Sequence, residues 1–335
     1  MLKEKGVNMA VTIYTIAKEA NTSISTVSRY LNNKNVRPQT KIRIEKAIEK
    51  YHFQPNAIAK GLVTKSTKNI AVLVVDIRLP HYANAAYFID RELSQKGYRT
   101  IICNTSGELE VCKKYVDSAL QINVDGIIFV GSIFAKLNEH QDIIDKIDDL
   151  PCVTTNGRLN TSRCYSIDVD DQNGIYNATK YLIEKGRRNI KYIQYSDNLS
   201  ASNKVKGYTR ALDEHNLKPV IYQTNDIFNG GYLETLKLIE NEEELDAIIT
   251  GEDITSMGAI RALLEKNILV GKECDVIGFN SSDYCQLSFP ALTAVDNKIE
   301  EASKKAAHIM IDILEGKDNL SSLKLQPELK IRESA

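Results

Sequence analysis

A short polar stretch near the start of the chain concentrates side chains that can hydrogen-bond to a nucleic acid. Its hydroxyl and guanidinium groups belong to Ser23, Ser25, Thr26, Ser28 and Arg29. Hydroxyls suit phosphate oxygens, and a guanidinium can pair with two acceptors on one base edge. On a helix that turns about 100° per residue, Ser25 and Arg29 lie about 200° from Val27 and Leu31. The polar stripe therefore faces away from the apolar one, toward whatever this helix binds.

Polar side chains also follow the apolar, strand-like runs in the rest of the chain. They are Asp76, Arg78, Asn104, Ser132, Asn156, Arg158, Ser196, Glu252, Asp253 and Asn280. Ligands of open α/β sheets bind beyond the carboxyl ends of the strands, so we expect these side chains to face one cleft. Tyr82 and Phe228 add flat surfaces on which a ring could stack. This chemistry is that of a small-molecule binding site.

Patterns typical of catalysis and metal binding are missing from the sequence. It contains no GxGxxG after a strand, no GxxxxGKS or GxxxxGKT, no HExxH and no GxSxG. The five histidines are dispersed, and the six cysteines form no CxxC pair, which is typical of reduced thiols in cytoplasm. We expect no enzyme activity, no cofactor and no metal. An alternative is a solute-binding or enzymatic α/β protein whose basic N-terminus is incidental.

Charge divides the chain in two. Residues 1–66 hold twelve Lys and Arg against four Asp and Glu (+8), and the totals of 43 and 44 leave 31 and 40 (−9) for the rest. A small basic segment on a large acidic body is the charge pattern of a nucleic-acid reader. The longest apolar run, residues 70–75, is far shorter than the ~20 residues of a membrane span. We therefore expect a cytoplasmic protein.

Three short amphipathic helices can position the polar stripe. Apolar residues three and four apart predict one helix after Thr12, a second after Ser23 and a third from Pro38. The apolar positions are Ile13, Ile16, Ala17 and Ala20, then Val27 and Leu31, then Ile44, Ala47, Ile48 and Tyr51. Two helices joined by a tight turn, the second with the polar stripe, form a helix-turn-helix, whose second helix enters the DNA major groove.

The remaining chain alternates strand-like and helix-length segments. Its seven apolar runs cover residues 70–75, 100–103, 126–130, 152–155, 192–195, 247–250 and 275–279. This alternation predicts an α/β fold with doubly wound, mainly parallel sheets. The number of strands favours two adjoining subdomains, one of about residues 67–165 plus 291–320 and the other of about residues 166–290 plus 321–335.

Three runs near the start resemble the signature of the LacI/GalR (lactose- and galactose-repressor) family of bacterial transcriptional regulators. They are Thr12-Ile-Tyr-Thr-Ile-Ala-Lys18, Ser23-Ile-Ser-Thr-Val-Ser-Arg29-Tyr-Leu-Asn32 and Phe53-Gln-Pro-Asn-Ala-Ile-Ala-Lys-Gly-Leu62. The resemblance implies a helix-turn-helix headpiece over residues 10–55, a hinge over 56–66 and a body like a periplasmic sugar-binding protein over 67–335. It also implies that residues 1–9 are an extension ahead of an alternative start at Met9.

The same resemblance implies which side chains contact DNA. Base edges would be read by Ile24, Ser25 and Arg29, of which Arg29 suits guanine. Phosphates would be held by Tyr14, Ser23, Thr26, Ser28 and Asn32. Helix capping and hydration are the alternative for the Ser and Thr residues. Arg37 and Thr15 depart from the residues usual in the family, and neither lies on the base-reading stripe.

Asn56, Ala59 and Leu62 resemble the family's hinge helix, which forms on DNA and enters the minor groove, where Leu62 would act as a wedge. Two turns that include Gly61 are too short to be helical alone, so this segment should fold on binding. The alternative is a linker with an exposed leucine. Because one headpiece contacts few bases, we expect a homodimer on a pseudopalindromic operator. No apolar heptads follow residue 333, so no tetramerising helix is expected.

Strand-end position and the resemblance together predict a cleft for a small effector, a sugar or sugar phosphate. Its contacts would be Arg78, Tyr82, Asn156, Arg158, Lys204, Phe228, Glu252, Asn280 and Asn297. In the family, an acid that holds sugar hydroxyls commonly stands at the position of Asn280. Because this acid is missing here while Arg78, Arg158 and Lys204 are present, the cleft favours an anionic ligand. The alternative is that Arg158 and Lys204 form salt bridges with Asp170 and Asp253. A protein corepressor is the alternative to a small molecule. Repression is expected, and whether the effector releases or tightens DNA binding stays open.

Overall fold

The structure is a computed structural model, and it describes residues 11–31, 34–53, 66–195, 197–241, 244–317 and 320–335. The chain forms two compact units, Met1–Thr67 and Lys68–Ala335. Across the part of the chain that is described, no helix combines the length and the apolar character needed to cross a bilayer.

The first unit contains the three predicted helices, α1 (Ile13–Glu19), α2 (Ile24–Leu31) and α3 (Pro38–Tyr51). Caps satisfy backbone groups that the first helical turn leaves free. The N–H of Thr12 donates to Thr15 Oγ1 over 3.3 Å. Similarly, the N–H of Thr26 donates to Ser23 Oγ over 3.2 Å. Pro38 begins α3, at a position where no N–H is needed. The three helix predictions are confirmed.

A small apolar core holds these helices together. Its buried members lie on the stripes predicted from the sequence and are Ile16, Ala17, Ala20, Val27, Ile44 and Ala47. Polar contacts reinforce the packing of α1 on α3, because Glu19 accepts hydrogen bonds from Lys50 Nζ at 2.6 Å and Tyr51 Oη at 2.9 Å. The bond from Lys50, followed by that from Tyr51, lowers the pKa of Glu19. The core leaves the polar stripe of α2 facing outward.

The first subdomain of the body is a six-stranded sheet with helices on both faces. Its strands are β1 (Asn69–Val74), β2 (Arg99–Asn104), β3 (Gly126–Val130), β4 (Cys152–Thr155), β5 (Cys164–Val169) and β11 (Leu323–Leu325). Its helices are α4 (Pro80–Gln95), α5 (Leu109–Gln121), α6 (Gln141–Ile147), α12 (Ile299–Leu314) and a 3-10 helix (Ser132–Glu139). The strand order is β11-β5-β4-β3-β1-β2, with parallel pairing throughout. Helices α4 and α12 cover one face, and the others cover the second.

The second subdomain repeats this architecture. Its strands are β6 (Ile190–Gln194), β7 (Ile221–Gln223), β8 (Ala247–Thr250), β9 (Asp275–Phe279), β10 (Thr293–Asp296) and β12 (Glu328–Lys330). Its helices are α7 (Asp171–Glu184), α8 (Leu199–Asp213), α9 (Gly230–Glu240), α10 (Asp253–Glu265) and α11 (Tyr284–Leu287). The order is β12-β10-β9-β8-β6-β7, and only the β10–β12 pair of this sheet is antiparallel. The predicted fold class, a helix-turn-helix unit followed by doubly wound parallel sheets, is confirmed.

The crossings between subdomains differ in detail from the sequence-based division. Strand β5 spans residue 166 and pairs with β4, so the first crossing follows Val169. Strand β10 pairs with β9 in the second sheet, although the sequence pattern places residues 291–320 in the first subdomain. The stretch after residue 320 serves both sheets, since β11 pairs with β5 and β12 with β10. The hydrophobicity of a segment indicates that it forms a strand, but it does not indicate which strand lies beside it in the sheet. This explains why the predicted subdomain boundaries differ from those in the structure.

Candidate DNA-reading helix and inter-subdomain cleft

Helix α2 presents its predicted base-reading side chains to solvent. Ser25 and Arg29 are exposed, and Ile24 keeps 40% of its surface accessible. Val27, on the other side of the helix, is fully buried. An accessible isoleucine among polar groups offers apolar contact to a thymine methyl, while the guanidinium offers paired donors to guanine. The helix therefore combines both kinds of base contact on accessible positions.

The hydroxyls at the start of α2 are engaged in local bonds. Ser23 Oγ lies 2.8 Å from both Ser25 Oγ and Thr26 Oγ1. This is the capping role expected as the alternative for these residues, and it places hydroxyls at a helix amino terminus, where anions are favoured. Arg29 Nη2 donates to the carbonyl of Asn35 over 3.3 Å, across the loop that follows α2. Tyr14 on α1 is two-thirds exposed, at 67%.

The other predicted DNA contacts divide into two groups. Thr26 and Ser28 are half-buried on α2. Asn32 and the three hinge residues, Asn56, Ala59 and Leu62, lie outside the described residues. Ser196, which was predicted to face the cleft, also lies outside them. Residues 11–31 and 34–53 carry eight Lys and Arg against three Glu. This excess gives the described part of the headpiece a positive field that attracts phosphates.

The carboxyl ends of the strands of both sheets meet at one cleft between the subdomains. Two cavities, of about 730 and 360 Å³, lie there. The larger is bordered by Asp76 and Tyr82 of the first subdomain and by Tyr195 and Glu252 of the second. The smaller is bordered by Ser132, Asn156, Arg158, Asp171 and Ser200, among others. Each cavity has walls from both subdomains, so a ligand in either would bridge them.

Lys204 of α8 is a buried cation in the floor of this cleft. Its side chain is 6% exposed, and its Nζ donates to the carbonyl of Gly251 over 2.9 Å. The same nitrogen lies 3.8 Å from Glu252 Oε1 and 3.8 Å from the centroid of the Phe279 ring. An ammonium removed from water needs such partners, because its desolvation is costly.

Glu252 begins a chain of hydrogen bonds that joins the subdomains. Its Oε2 accepts from Asn280 Nδ2 at 2.6 Å, and Asn280 Oδ1 accepts from Asn297 Nδ2 at 2.8 Å. Asn297 Nδ2 also lies 3.2 Å from Nδ1 of His81, which belongs to α4 of the first subdomain. Burial raises the pKa of Glu252. Burial, together with the charge of Lys204, lowers the pKa of His81 to about 3, so this imidazole is neutral near pH 7.

Two predicted ligand contacts have unusual backbone geometry. The φ angle is 56° at Asn156 and 100° at Asn280. Asparagine adopts positive φ more readily than most residues, and strained positions of this kind cluster at functional sites. Asn156 Oδ1 also accepts the N–H of Val169 at 2.7 Å, which ties the end of β4 to the end of β5. Asn156 therefore shapes the smaller cavity as well as lining it.

Arg78 is bound to a carboxylate at the mouth of the larger cavity. Its Nε and Nη2 donate to the two oxygens of Asp76 at 3.0 and 2.6 Å. This bond lowers the pKa of Asp76. The guanidinium lies 5.4 Å from the centroid of the Phe228 ring, and 71% of the Arg78 side chain is exposed. Arg78 and Phe228 thus form a rim to the cleft, while Tyr82 lines its wall.

The alternative pairing of the other cleft cations is wrong. Lys204 pairs with Glu252, whereas Asp253 accepts the N–H of Ser282 at 2.7 Å. Asp170 pairs with Lys324 at 2.8 Å, a residue that the second crossing of the chain brings beside β5. Arg158 is exposed at the edge of the smaller cavity. The sequence separation between these partners explains why local pattern could not predict them.

Sequence reasoning missed Asp171, the first residue of α7. It is 3% exposed and lines the smaller cavity. Its Oδ2 accepts a hydrogen bond from Ser200 Oγ, and its Oδ1 has no hydrogen-bond partner among the described residues. Burial raises the pKa of Asp171. Asp171 follows the carboxyl end of β5, just as the predicted cleft residues follow the ends of their strands. It was missed because β5 was not predicted from the sequence.

Two families match parts of the chain. Residues 12–56 match the bacterial regulatory proteins of the lacI family, and residues 179–335 match a periplasmic binding protein-like domain. A relative from Lachnoclostridium phytofermentans, named as an HTH-type transcriptional regulator, is 30% identical over 329 residues. The alignment covers 96% of this chain and 98% of that relative. Its name is that of a regulator rather than an enzyme.

Solved structures share the architecture. The lac repressor dimer bound to operator and the anti-inducer ONPF superposes with a TM-score of 0.84 at 20% identity, over 97% of this chain and 98% of that one. A periplasmic binding protein/LacI transcriptional regulator from Alkaliphilus metalliredigens, complexed with D-xylulofuranose, gives 0.69 at 26% identity, over 80% and 98%. The chain therefore belongs to the LacI family and is a DNA-binding transcriptional regulator with a helix-turn-helix headpiece and a ligand-binding body.

Proposed function

We propose that this regulator acts as a cytoplasmic repressor, binds a pseudopalindromic operator as a homodimer and responds to a small polyhydroxy effector in the cleft, without catalysing a reaction. The observation that carries the proposal is the network that runs from the Lys204–Glu252 ion pair through hydrogen bonds of Asn280 and Asn297 to His81. Its members come from both subdomains. A ligand that binds this network in one arrangement of the subdomains better than in another shifts the equilibrium between them.

The headpiece supplies the sequence reading. Ile24, Ser25 and Arg29 contact base edges, and their exposure on α2 supports this role. Tyr14, Ser23, Thr26, Ser28 and Asn32 hold phosphates and set the register. The hinge, through Asn56, Ala59 and Leu62, orders on the minor groove and couples the body to DNA. Because an effector must change operator affinity by roughly 5- to 150-fold to act as a switch, the coupling is about 1–3 kcal/mol.

The polar chemistry of the cleft suits sugar hydroxyls. Asn280 and Asn297 offer both donors and acceptors, and Tyr82 offers a ring face. Asn156, Arg158, Arg78 and Phe228 complete the contacts at the edges of the two cavities. The sugar bound to the Alkaliphilus metalliredigens relative supports this class of effector for a cleft of the same fold.

An exposed apolar cluster on the second subdomain supports dimerisation. It comprises Leu264, Tyr284, Leu287 and Phe289, which range from 40% to 84% exposed. Single exposed apolar residues are ordinary, but Leu264 and Phe289 line one groove beside α10, and a shared exposed apolar surface is typical of a protein–protein interface. A second copy of the chain is the partner we propose, since two headpieces are needed for two half-sites.

Footprinting on genomic promoter fragments, with and without a panel of sugars, tests the proposal. We expect protection of a pseudopalindrome at low salt, and a change in affinity of at least fivefold with one sugar. Asn280→Ala should abolish the response to the sugar and leave operator binding by the free protein intact. Suppose that a phosphorylated carrier protein changes operator affinity while no sugar does, and that Asn280→Ala does not alter this response. The proposal that a small effector binds in the cleft is then wrong.

A further inference from the structure

Hydrogen-bond acceptors are left over on the floor of the cleft. Asp171 Oδ1 and Asn297 Oδ1 are buried and have no hydrogen-bond partner among the described residues. The two residues are 3% and 2% exposed. A carboxylate can only accept hydrogen bonds, and leaving a buried polar atom unpaired is costly. These atoms call for a ligand that donates hydrogen bonds.

One buried cation serves the same floor. Lys204 Nζ donates to the carbonyl of Gly251 and lies 3.8 Å from Glu252 Oε1, whereas Asp171 forms no ion pair among the described residues. Burial raises the pKa of both carboxyls, although the charge of Lys204 opposes this rise. His81 adds no positive charge, because burial and Lys204 hold its pKa at about 3. Lys204 therefore pairs with Glu252, and Asp171 has no cation of its own in the described part of the chain.

The acidic side chains of the larger cavity already have cationic partners. Among the described residues, its lining includes Asp76, Asp197, Glu234 and Glu252, which pair with Arg78, Lys136, Lys237 and Lys204 in that order. The basic side chains near the cleft are mostly engaged, since Arg78 is bound by Asp76 and Lys324 is bound by Asp170. The exposed Arg158 is a cation at the edge of the smaller cavity.

We infer that the effector carries a protonated amine on a polyhydroxy skeleton, as an amino sugar does, and that Asp171 is the counter-ion of this amine. This inference rests on the proposed function of the cleft as the effector site. An ammonium brings the donors and the positive charge that Asp171 and its surroundings lack. A phosphate brings only acceptors and negative charge to Asp171, so we expect a sugar phosphate to bind far less tightly than the amino sugar.

Calorimetry on the intact chain at pH 7 tests the charge of the ligand with matched triads. Each triad is a sugar, its 2-amino form and its 6-phosphate, on glucose, galactose and mannose skeletons. Within a skeleton that binds, the amino form should bind about tenfold tighter than the sugar, since a hydrogen bond to a charged group is worth about 1.5–3 kcal/mol. The phosphate should bind far less tightly than the amino form.

The substitution Asp171→Asn removes the charge of the side chain and keeps its size, so it tests whether Asp171 is the counter-ion of the amine. The variant should bring the ratio of the affinity for the amino form to the affinity for the sugar down to about one. Asp197→Asn is the matched control, because Asp197 lines the same cleft but its side chain is 85% exposed. That variant should keep the wild-type ratio. Equal ratios in wild type and Asp171→Asn would overturn the assignment.

A second measurement reads the charge of the cleft without any effector. Paired nitroxide cosolutes, one with an amino and one with a carboxylate group, broaden methyl signals according to local potential. The methyls of Leu199, which lines the smaller cavity together with Asp171, should be broadened more by the cationic nitroxide. The difference should narrow in Asp171→Asn.

The two measurements separate the failure of the inference from that of the proposed function. If the phosphate or the neutral sugar is the tightest ligand of a triad, the inference of an amino sugar is overturned, but the proposal that the cleft binds a sugar stands. A panel without any binder contradicts the sugar-like effector, and the nitroxide pair then decides the inference alone: equal broadening, or stronger broadening by the anionic nitroxide, overturns it.

Discussion

The Lys204–Glu252 pair allows a quantitative test of how the cleft is built. Two unit charges 3.8 Å apart attract by about 4 kcal/mol at an effective dielectric constant of ~20. The Glu252 side chain keeps 25% of its surface in water, which screens the attraction. We therefore expect a coupling energy of about 2 kcal/mol, between the values of exposed and buried pairs.

Three variants measure this coupling. Lys204→Met leaves Glu252 without its cation and should lower the free energy of unfolding by about 3 kcal/mol. Glu252→Gln should cost less, about 1 kcal/mol, because the ammonium still donates to Gly251 and contacts the Phe279 ring. The double variant should cost about 2 kcal/mol less than the sum of the single variants.

The sign of the pH dependence follows from Glu252. Without Lys204, nothing comparable opposes the burial that raises its pKa above the ordinary 4.5, so this pKa rises further. A carboxyl with a raised pKa in the folded chain is most compatible with folding at low pH, and that stability is lost as the pH rises through its folded pKa. The cost of Lys204→Met should therefore be smaller at about pH 5 than at about pH 8.

Urea unfolding of the effector-free chain, followed by circular dichroism at both pH values, gives these energies. A double-variant energy within about 0.5 kcal/mol of the sum of the single variants would refute the coupling. A cost of Lys204→Met that grows toward low pH would refute the assignment of the buried charge to Glu252.

Three further predictions address other parts of the molecule. Because burial raises the pKa of Asp253 from 3.8 to about 6, Asp253→Asn should gain about 2 kcal/mol relative to wild type between pH 4 and pH 7; a pH-independent difference in urea unfolding contradicts this. Arg29→Ala should relax base preference at one position per half-site by about 1–3 kcal/mol, and equal losses on all sequences in a randomised-operator assay would show a phosphate contact instead. Leu287→Lys should shift sedimentation toward the monomer, whereas Leu269→Lys, at another exposed leucine, should not.

The elements that form local patterns could be predicted from the sequence. The stripes of α1, α2 and α3 recur every three and four residues, and strands such as β3 and β8 are short, wholly buried apolar runs. Strands β5 and β7 escaped prediction because they lack such runs: β5 mixes buried with half-buried residues, and β7 is a three-residue edge strand that is largely exposed. Their place in the sheets depends on partners far away in the chain.

In the candidate site, too, some features could be predicted from local sequence, whereas others depend on residues far apart in the chain. Strand-end position predicted that Glu252 and Asn280 face the cleft, and the family resemblance added Lys204 and Asn297. Their mutual bonds were not predictable, because each joins residues from different crossovers. Asp171 was missed together with its strand, and with it the buried carboxyl that now argues against a phosphorylated effector.

The most direct test of the central claim is affinity selection of sheared genomic DNA by the intact chain, sequenced with and without effector candidates. We expect enrichment of a pseudopalindromic site, loss of the preferred base at one position per half-site in Arg29→Ala, and an altered yield with an amino sugar. Enrichment that follows base composition alone, identical for wild type and Arg29→Ala, would show that the protein does not read an operator sequence.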